Sequence, residues 1–433
     1  MIRRPAWGQG FLLLLAIILL GLARSAWAQD VASPVVGPVP EPGLLTALGL
    51  QTSFRVGAWT RDRDLNGETI TAIGGMRARV APRAGAMDAF AEGFVQADSF
   101  DGLDADLVEA WLRFSSGALE LKAGRQIVVW GRADRLNPTD TISSRDYTLL
   151  VAADDEQRRG NLMVQARLGL GDFTLDAYWL PEFRANRFPL DTNRAGVALL
   201  PDERPDDKAQ FAARIDRSGG TLDWSLSWFH GIDRNRDFVA TRFNPPGALV
   251  EVQQQFPQLD VFGADVAGNV GRLGYRGEIA YTHVRGNDSI DRKNSNIWAV
   301  VGVDTTLANG WNINVQYSFR RILDYADTRS IANPVARAVA TLSAAVNNQL
   351  DETQNGATVR IAHNWFQDTL DFELAAIVYF ETGDAAIRPK LRYAITDTLR
   401  ISAGADIFLG PALSYFGRVR NLSGGYVQLN FGF

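Results

Sequence analysis

The feature that most constrains this fold is a long alternation of apolar and polar residues that recurs along most of the chain. In residues 311–320 (WNINVQYSFR), every odd-numbered position is apolar or aromatic and every even-numbered position is polar. Residues 369–380 and 399–409 follow the same period of two with few exceptions. Successive side chains of a β-strand point to opposite faces, so each stretch predicts a strand with one apolar and one polar face.

The length of these strands indicates a membrane barrel rather than a soluble sandwich. Strands of soluble proteins average about five or six residues, whereas a tilted strand that crosses a bilayer needs about ten. Soluble sandwiches also alternate, but the apolar faces here carry Trp, Tyr and Phe near their ends, as an aromatic girdle does. Lipid satisfies no backbone hydrogen bond, so strands can cross a membrane only in a closed barrel.

The N-terminus has the pattern of a secretory signal peptide. Arg3 and Arg4 precede a twelve-residue apolar run at 11–22, and a small-x-small sequence (AWA) follows at 26–28. The run is shorter than the ~20 residues of a transmembrane helix, which favours a cleavable export signal over an uncleaved anchor. The predicted domains are a signal peptide at 1–28, a Pro- and Gly-rich periplasmic lead-in at 29–48, and an outer-membrane β-barrel at 49–433.

Eighteen strands can be placed in the barrel region. They are predicted at 49–60, 72–80, 86–98, 105–115, 118–129, 161–169, 172–181, 208–217, 220–230, 258–269, 272–285, 294–307, 310–320, 355–366, 369–381, 386–396, 398–410 and 422–433. The connections after even-numbered strands have at most five residues, and most of those after odd-numbered strands are long. Short periplasmic turns and long external loops produce this asymmetry. The sequence predicts an all-β, transmembrane antiparallel β-barrel of 18 strands, of the outer-membrane porin type.

The last strand predicts where the chain resides. Val427, Leu429, Phe431 and Phe433 share one face, and the final residue is aromatic. This ending resembles the signal by which bacterial outer-membrane barrels are recognised for insertion. It predicts the barrel-assembly machinery as a partner, through the strand that ends at Phe433. Together with the export signal it predicts a place in the outer membrane of a Gram-negative bacterium, surrounded by outer-membrane lipid.

Charged residues on the polar faces predict the character of the lumen, which in a barrel of this size is an aqueous channel. If the last strand pairs with the first, strands 16, 17, 1 and 2 form one sector of wall with a basic group. Its members are Arg55, Arg77, Arg79, Arg388, Lys390, Arg392 and Arg400. Rings of charge set pore selectivity, so this basic wall predicts a preference for anionic solutes. A lumen lined throughout with paired charges is the alternative.

The connection at 130–160 predicts a constriction of the lumen. It has 31 residues, follows the fifth strand and is dense in both signs of charge. In porins, a long early loop folds into the barrel and narrows it. The predicted constriction residues are Arg132, Asp134, Arg135, Asp140, Arg145 and Asp146. The alternative is an exposed loop held by its own salt bridges.

The connection at 321–354 predicts a helix of about four turns at the external mouth. Asn333 followed by Pro334 is a good helix start, and the next apolar residues share one helical face. These are Val335, Val339, Leu342 and Val346. The helix could act as a lid or as an apolar ligand site. We favour the simpler interpretation, in which it packs on neighbouring loops.

One segment also resembles a known family. Residues 124–131 (GRQIVVWG), running on through Asn137-Pro138 and Arg145-Asp146, resemble a motif of proteobacterial outer-membrane porin-like barrels of unassigned function. A more distant resemblance is to the alginate exporter, another 18-stranded barrel. The resemblance implies an outer-membrane conduit and does not name its solute.

Composition and motifs argue against several other functions. The 433 residues include no cysteine, which excludes disulfide scaffolds, iron–sulfur clusters and thiol catalysis. The formal charge of -5 argues against a nucleic-acid partner. His230, His283 and His363 form no recognisable catalytic set, and phosphate-loop, dinucleotide and HExxH motifs are absent from the sequence. We therefore predict no enzymatic activity, no cofactor and no metal.

The leading hypothesis is an outer-membrane channel that passes small hydrophilic solutes through a water-filled lumen narrowed by the loop at 130–160. Anionic solutes would be included if the basic wall dominates. The alternative is a substrate-specific transporter of hydrophobic compounds or of an anionic polysaccharide, gated by the helix in 321–354. A third class, a surface adhesion or scaffold barrel, predicts a plugged lumen.

Overall fold

The computed structural model describes residues 48–60, 69–99, 102–189, 196–204, 209–246, 249–286 and 290–432. The predicted signal peptide at 1–28, residues 29–47 of the lead-in and the terminal Phe433 lie outside the described residues. Among the described residues, no helix has the length and apolarity that a membrane crossing would require.

Eighteen antiparallel strands form one closed barrel, as the sequence predicts. They are β1 Gln51–Thr60, β2 Ile70–Val80, β3 Met87–Asp98, β4 Gly102–Ser116, β5 Leu119–Gln126, β6 Asn161–Leu170, β7 Phe173–Leu180, β8 Gln210–Arg217, β9 Leu222–Ile232, β10 Gln258–Val270, β11 Leu273–Val284, β12 Asn296–Thr306, β13 Asn312–Ile322, β14 Thr353–Trp365, β15 Leu370–Tyr379, β16 Asp384–Ala394, β17 Leu399–Leu409 and β18 Gly424–Gly432. No predicted strand end differs from these bounds by more than three residues.

The barrel closes where β1 pairs with β18. Ser53 lies opposite Gly432 and Trp59 lies opposite Tyr426 across this seam. The Thr60 hydroxyl adds a side-chain bond there, because it accepts the Gly425 N–H at 2.8 Å. The predicted closure is therefore confirmed, and β16, β17, β18, β1 and β2 are consecutive around the wall.

The alternation of each strand separates a buried inner face from an exposed outer face. In β6, Asn161, Met163 and Gln165 are buried, whereas Leu162 and Val164 are exposed. Large apolar residues are exposed in the same way around the barrel; examples are Leu226, Phe262, Ile279, Val301 and Val315. An outward apolar belt of this kind suits contact with lipid.

Long and short connections lie at opposite ends, which we name the loop end and the turn end. The connections after odd-numbered strands meet at the loop end, and the short ones at the turn end. At the turn end, Gly117 and Gly171 have φ of 57° and 62°. Glycine adopts this left-handed conformation without the steric cost that a Cβ would bring.

The loop end carries the predicted helix, α1, at Pro334–Val346, and the prediction is confirmed. The Asn333 side chain caps it by accepting the N–H groups of Val335 and Ala336. The apolar face of α1 packs, through Val339, on a small sheet that the sequence did not predict. The strands of that sheet are Val197–Leu199, Asp237–Phe243 and Val250–Gln255. The interpretation in which the helix packs on neighbouring loops is therefore correct.

Shorter elements complete the described structure. They are the two-residue strands Arg83–Ala84, Ser144–Arg145 and Arg158–Arg159, and the 3-10 helices Asp154–Gln157, Thr328–Ser330 and Gly417–Leu422.

The closing seam makes a stability prediction. A Cβ on Gly424 would collide with the backbone oxygen of Thr60, whereas a Cβ on Gly432 of the same strand would meet nothing within 4 Å. We expect Gly424→Ala to lower the free energy of unfolding in lipid vesicles by about 1–3 kcal/mol, as overpacking does. Gly432→Ala is the matched control. Equal urea midpoints for the two variants would contradict this account of the seam.

Candidate functional site

The connection between β5 and β6, residues 127–160, lies inside the barrel and packs against its inner wall; we name it the inner loop. Trp130 and Ile142 pack with inward-facing residues of β6 to β11. Alternating apolar residues of the segment 149–152 pack on two further sectors, β3 and β4 on one side and β1, β2 and β18 on the other. The inner loop therefore contacts the wall around much of the lumen.

Glu278 of β11 fastens the start of the inner loop. Its carboxylate accepts the backbone N–H groups of Arg132 and Ala133, each at 3.1 Å, and the N–H and hydroxyl of Thr139 at 2.7 and 2.8 Å. Gly131 allows this approach, since a Cβ there would lie 2.5 Å from a Glu278 oxygen. Hydrogen bonds to an ionised carboxylate are stronger than neutral ones, so this buried side chain holds the turn in place.

Arg132 ties the same turn to three neighbouring strands. Its guanidinium lies 2.6 Å from Asp265 of β10, 2.8 Å from Asp216 of β8 and 3.7 Å from Asp223 of β9. The Asp265 side chain is fully buried, and a buried charge is tolerated only when it is paired and hydrogen-bonded. Arg132 and these carboxylates thus stabilise each other at the wall.

The far side of the inner loop reaches the opposite wall. Arg135 lies 2.9 Å from Asp154 of the loop and 2.7 Å from Glu373 of β15. Asp154 also pairs with Arg388 of β16, which in turn pairs with Asp406 of β17. The inner loop therefore crosses the lumen and contacts β15 and β16 through charged side chains.

A cavity of about 2540 Å³ lies beside the inner loop. Its lining includes Arg337 and Tyr415 in connections at the loop end, and Asp304 and Asn312 close to the turn end. The cavity thus follows the wall of β12 to β17 along most of the height of the barrel. Among the described residues that line it, fifteen are Arg or Lys and eleven are Asp or Glu. The cavity lining is therefore basic, although the formal charge of the whole chain is -5.

The residues predicted for a constriction lie in the inner loop, and most of them line the cavity. Those at its surface are Arg132, Asp134, Arg135, Asp140 and Arg145. Asp146 lies elsewhere: it is 1% exposed and pairs with Arg159 and Arg187. Asp140 pairs with Arg145 and with Arg158 at 2.8 Å.

The residues predicted for a basic wall are divided by the inner loop. Arg388 and Lys390 line the cavity. Arg55 and Arg77 bind Glu156 of the inner loop instead. Arg79 donates to Gln51, and Arg400 lies opposite Asn430 near the turn end.

Carboxylates on the neighbouring strand pair with part of this basic wall. The register of β15 and β16 sets Glu373 opposite Lys390 and Asp371 opposite Arg392. The side chains form ion pairs at 3.5 and 2.6 Å. The wall at these strands is therefore lined with paired charges, as the alternative interpretation expects, although the cavity as a whole keeps a basic excess.

Sequence reasoning missed two ion pairs that line the cavity. Arg276 of β11 pairs with Asp304 of β12, and Arg360 of β14 lies 3.0 Å from Glu373. All four residues occupy polar positions of alternating strands. The alternation in the sequence therefore marks these positions as facing the lumen, but it does not indicate which charges pair across strands.

The three histidines occupy separate places. His230 lies 2.9 Å from Asp260, which also binds Arg285. His283 is beside Tyr281 on the exposed outer face, and His363 stacks on Trp365 in an aromatic cluster at the turn end. The described residues contain no group of three or more His, Asp or Glu placed to hold a metal ion.

We name α1 and the small loop sheet together the cap. A buried carboxylate joins these two elements at the loop end. Asp237, which is 1% exposed, accepts the Asn347 side-chain N–H at 2.7 Å and the Lys293 backbone N–H at 3.1 Å. It lies in the small loop sheet, and Asn347 caps the C-terminus of α1. Burial raises the pKa of Asp237 to about 7, although these two hydrogen bonds act in the opposite direction.

Comparison with known proteins identifies relatives of the fold. Residues 95–414 match a family model described as "Protein of unknown function (DUF1302)". No curated protein matches the chain in sequence. The crystal structure of Pseudomonas aeruginosa OccK3 (OpdO) is similar, with 12% identity, a TM-score of 0.54, and 89% of this chain and 95% of that chain covered.

Two further crystal structures are similar to the same degree. Pseudomonas aeruginosa OccD3 (OpdP) has 13% identity and a TM-score of 0.53, with 94% of this chain and 97% of that chain covered. Acinetobacter baumannii OccAB2 has 10% identity and a TM-score of 0.53, with 89% and 97% covered. These neighbours are outer-membrane porins of the Occ and OprD type, and the likeness shows that this chain has their barrel fold.

The anchoring by Glu278 predicts how the inner loop can be released. Glu278→Gln keeps the volume of the side chain but removes the negative charge of the carboxylate that accepts hydrogen bonds from four donors. We therefore expect the docking of the inner loop on the wall to weaken by about 2 kcal/mol. The chain has no cysteine, and the Asp155 side chain is 94% exposed, so a spin label at Asp155→Cys reports loop motion. The control is Glu120→Gln, which breaks an ion pair with Arg113 on the β4–β5 wall. Equal label mobility in both variants would refute the anchor.

Asp237 predicts a pH dependence of the cap. Its pKa of about 7 lies above the ordinary value of 3.8, so the folded cap holds this proton more tightly than the unfolded chain does. The contribution of this proton to the stability of α1 docking is full below pH about 4, falls by about 1.4 kcal/mol per pH unit above that, and is lost once the pH passes 7. Hydrogen exchange of the α1 amides, corrected for intrinsic rates, should be faster at pH 8 than at pH 5. Asp237→Asn should abolish that difference; a difference that persists would contradict the assignment.

Proposed function

Since the chain belongs to the DUF1302 family of proteins of unknown function, the family name gives no activity, and we propose a function from the geometry of the lumen. We propose a porin-type channel of the outer membrane that passes small hydrophilic solutes, anionic ones in preference. The observation that carries this proposal is the polar cavity that follows β12 to β17 from the loop end towards the turn end. The similarity in fold to outer-membrane porins supports it.

In this proposal the inner loop narrows the path. Arg135 and Asp154 of the loop contact Glu373 and Arg388 of the wall, so a solute that follows the cavity passes these side chains. The two side chains of each ion pair hold each other in place and keep water in the path. Because each charge already has a partner, the pair binds a passing ion only weakly. This arrangement favours diffusion of small hydrated solutes over tight binding.

The basic excess of the cavity supports the anionic preference. Fifteen Arg and Lys against eleven Asp and Glu among the described lining residues give a positive mean potential within low-dielectric walls, which concentrates anions. Lys390 contributes to this potential, although it shares Glu373 with two arginines.

The two ends of the chain suggest how the barrel reaches the membrane. We propose that residues 1–28 direct export and are then removed, and that the barrel-assembly machinery recognises the strand that ends at Phe433. The apolar outer belt supports the contact with outer-membrane lipid that this route requires.

The alternative function, a transporter of hydrophobic compounds or of an anionic polysaccharide gated by a helix, has less support. Val335, Val339, Leu342 and Val346, the apolar face of α1, belong to a cluster with the loop sheet. That face packs on the loop sheet, although Leu342 and Val346 also line the cavity. The polar edge of the helix lines the cavity with Arg337 and Thr341. A fixed cap explains these contacts better than a movable lid.

Recording from planar bilayers tests the proposed channel. The purified barrel should give discrete conductance steps, and a KCl gradient should give a reversal potential that indicates preference for chloride. Lys390→Gln should reduce that preference, because it removes one charge from the cavity lining. Arg83→Gln removes the same charge from a side chain 79% exposed at the turn end and should change it little. Absence of steps would refute the channel, and a preference for potassium would refute only the anionic part.

A further inference from the structure

Pro389, near the middle of β16, is the only proline within the eighteen barrel strands that the structure describes. Proline has no N–H to donate to a neighbouring strand, so sheets confine it to edge strands, strand ends and bulges. A closed barrel has no edge strand. A proline in the middle of its wall therefore marks a place where the pairing of two strands is incomplete.

The pairing of β16 with β17 is interrupted at this proline. The ladder is regular on both sides, but Arg388 and Pro389 have no partner in β17, and the register places Ala405 opposite Pro389. The Pro389 carbonyl faces β17, because a Cβ on Gly404 would lie 2.7 Å from its oxygen. The two residues of such a pair exchange both of their backbone bonds. The bond that a residue at 389 would donate to the Ala405 carbonyl therefore cannot form.

The wall is thin beside this gap in the ladder. Ala376, Pro389 and Ala405 occupy outward-facing positions of β15, β16 and β17, yet all three line the inner cavity. Gly404 brings no side chain to the inner face, and Ala403 adds only a methyl group to the outer face. At this level the cavity therefore extends to the backbone of the wall, with only small side chains beyond it.

An apolar strip on the inner wall leads from the loop end to the gap. Ile377, Ala386 and Phe408 lie side by side in the register of β15, β16 and β17, and all three line the cavity. Further rings of the same cluster extend the strip towards the loop end. In β13, by contrast, the inward positions of 312–318 are all Asn, Gln or Ser. An apolar solute from the loop end thus finds apolar surface on the side where the ladder is broken.

One ion pair spans the gap on its inner side. Arg388 of β16 binds Asp406 of β17, and these are the inward residues next to Pro389. Arg388 also binds Asp154 of the inner loop. Side chains therefore hold the two strands together where a backbone bond is missing, and they can separate without breaking the ladder on either side.

We infer that an uncharged apolar solute leaves the lumen sideways between β16 and β17, at Pro389, and enters the bilayer. The inference goes beyond the proposed channel, because it gives apolar solutes an exit of their own beside the path of hydrophilic solutes. Two strands part at the lowest cost where a backbone hydrogen bond is already missing, and the transfer of apolar surface from water to lipid is favourable. The route needs no movement of α1.

Uptake of N-phenylnaphthylamine by Gram-negative cells that produce the full-length barrel tests the exit. This uncharged dye fluoresces in lipid and hardly in water, so cells with the barrel should become fluorescent faster than cells without it. Pro389→Val restores the N–H in a residue that suits strands. It should lower the barrel-dependent rate by about tenfold, because one more ladder bond must then break. Leu391→Val, at the next outward position of β16, is the matched control and should change the rate little.

A disulfide clamp tests the exit while Pro389 stays in place. The chain has no cysteine, and directly opposite residues of two strands are close enough for a disulfide. Ile387 and Ile407 form such an outward pair at the edge of the gap nearer the loop end. Oxidation of the double variant Ile387→Cys, Ile407→Cys should stop the barrel-dependent uptake, and a reducing agent should restore it. Tyr393→Cys, Ile401→Cys clamps the same strands nearer the turn end, and its oxidation should have little effect.

The outcomes separate the exit from the channel. Equal uptake in Pro389→Val and Leu391→Val, or uptake that persists after oxidation of the 387–407 clamp, would overturn the exit and leave the proposed channel untouched. Uptake that the clamp blocks, in a barrel without conductance steps, would support the exit and refute the channel. Assembly of each variant is checked by the mobility of the unheated barrel in electrophoresis. The clamp, compared before and after reduction, keeps the test open if Pro389→Val does not assemble.

Discussion

Each strand of this barrel depends on both of its neighbours for backbone hydrogen bonds, and the seam between β1 and β18 completes the ring. In a soluble sheet, water satisfies the edge strands, whereas lipid offers no donor or acceptor. Pairing of residues 53–59 with 426–432 therefore decides whether the other strands can remain in a membrane. The alternating sequence follows from the same constraint, because a closed sheet has one face towards lipid and one towards the lumen.

Closure also creates a polar interior whose charges need partners. The wall supplies buried carboxylates such as Asp265 and Glu278, and the inner loop supplies guanidinium and backbone N–H groups that bind them. The loop in turn places Asp154 and Glu156 against arginines of the opposite wall. Loop and wall are thus complementary in charge, which explains why a segment this polar lies inside the barrel rather than above it.

The parts of the structure that could be predicted from sequence are those set by local pattern. Period-two alternation located all eighteen strands of the barrel, and the Asn333–Pro334 pair located α1. The loop sheet was missed because its pairing of Val197–Leu199 with Val250–Gln255 is parallel and joins distant segments. The lumen-facing position of Lys390 was predicted, yet its pairing with Glu373 was not, because that pairing depends on the register between β15 and β16. Asp146 was predicted at the constriction but is buried against the wall. The sequence of a loop does not indicate which of its side chains face the wall and which face the lumen.

Register and pairing also change what a count of charges means. An arginine within 4 Å of a carboxylate acts at a distance as a dipole, whose field falls faster than that of a single charge. In the inner loop and on the cavity-lining faces of β15 and β16, Arg135, Arg388 and Lys390 have such partners. These paired charges therefore contribute little net field at the place where the loop meets the wall. Arg320 lacks a described carboxylate partner and lies towards the loop end. Discrimination by charge is therefore expected at the loop end of the cavity, before a solute reaches the ion pairs between the inner loop and the wall, which would act mainly on size.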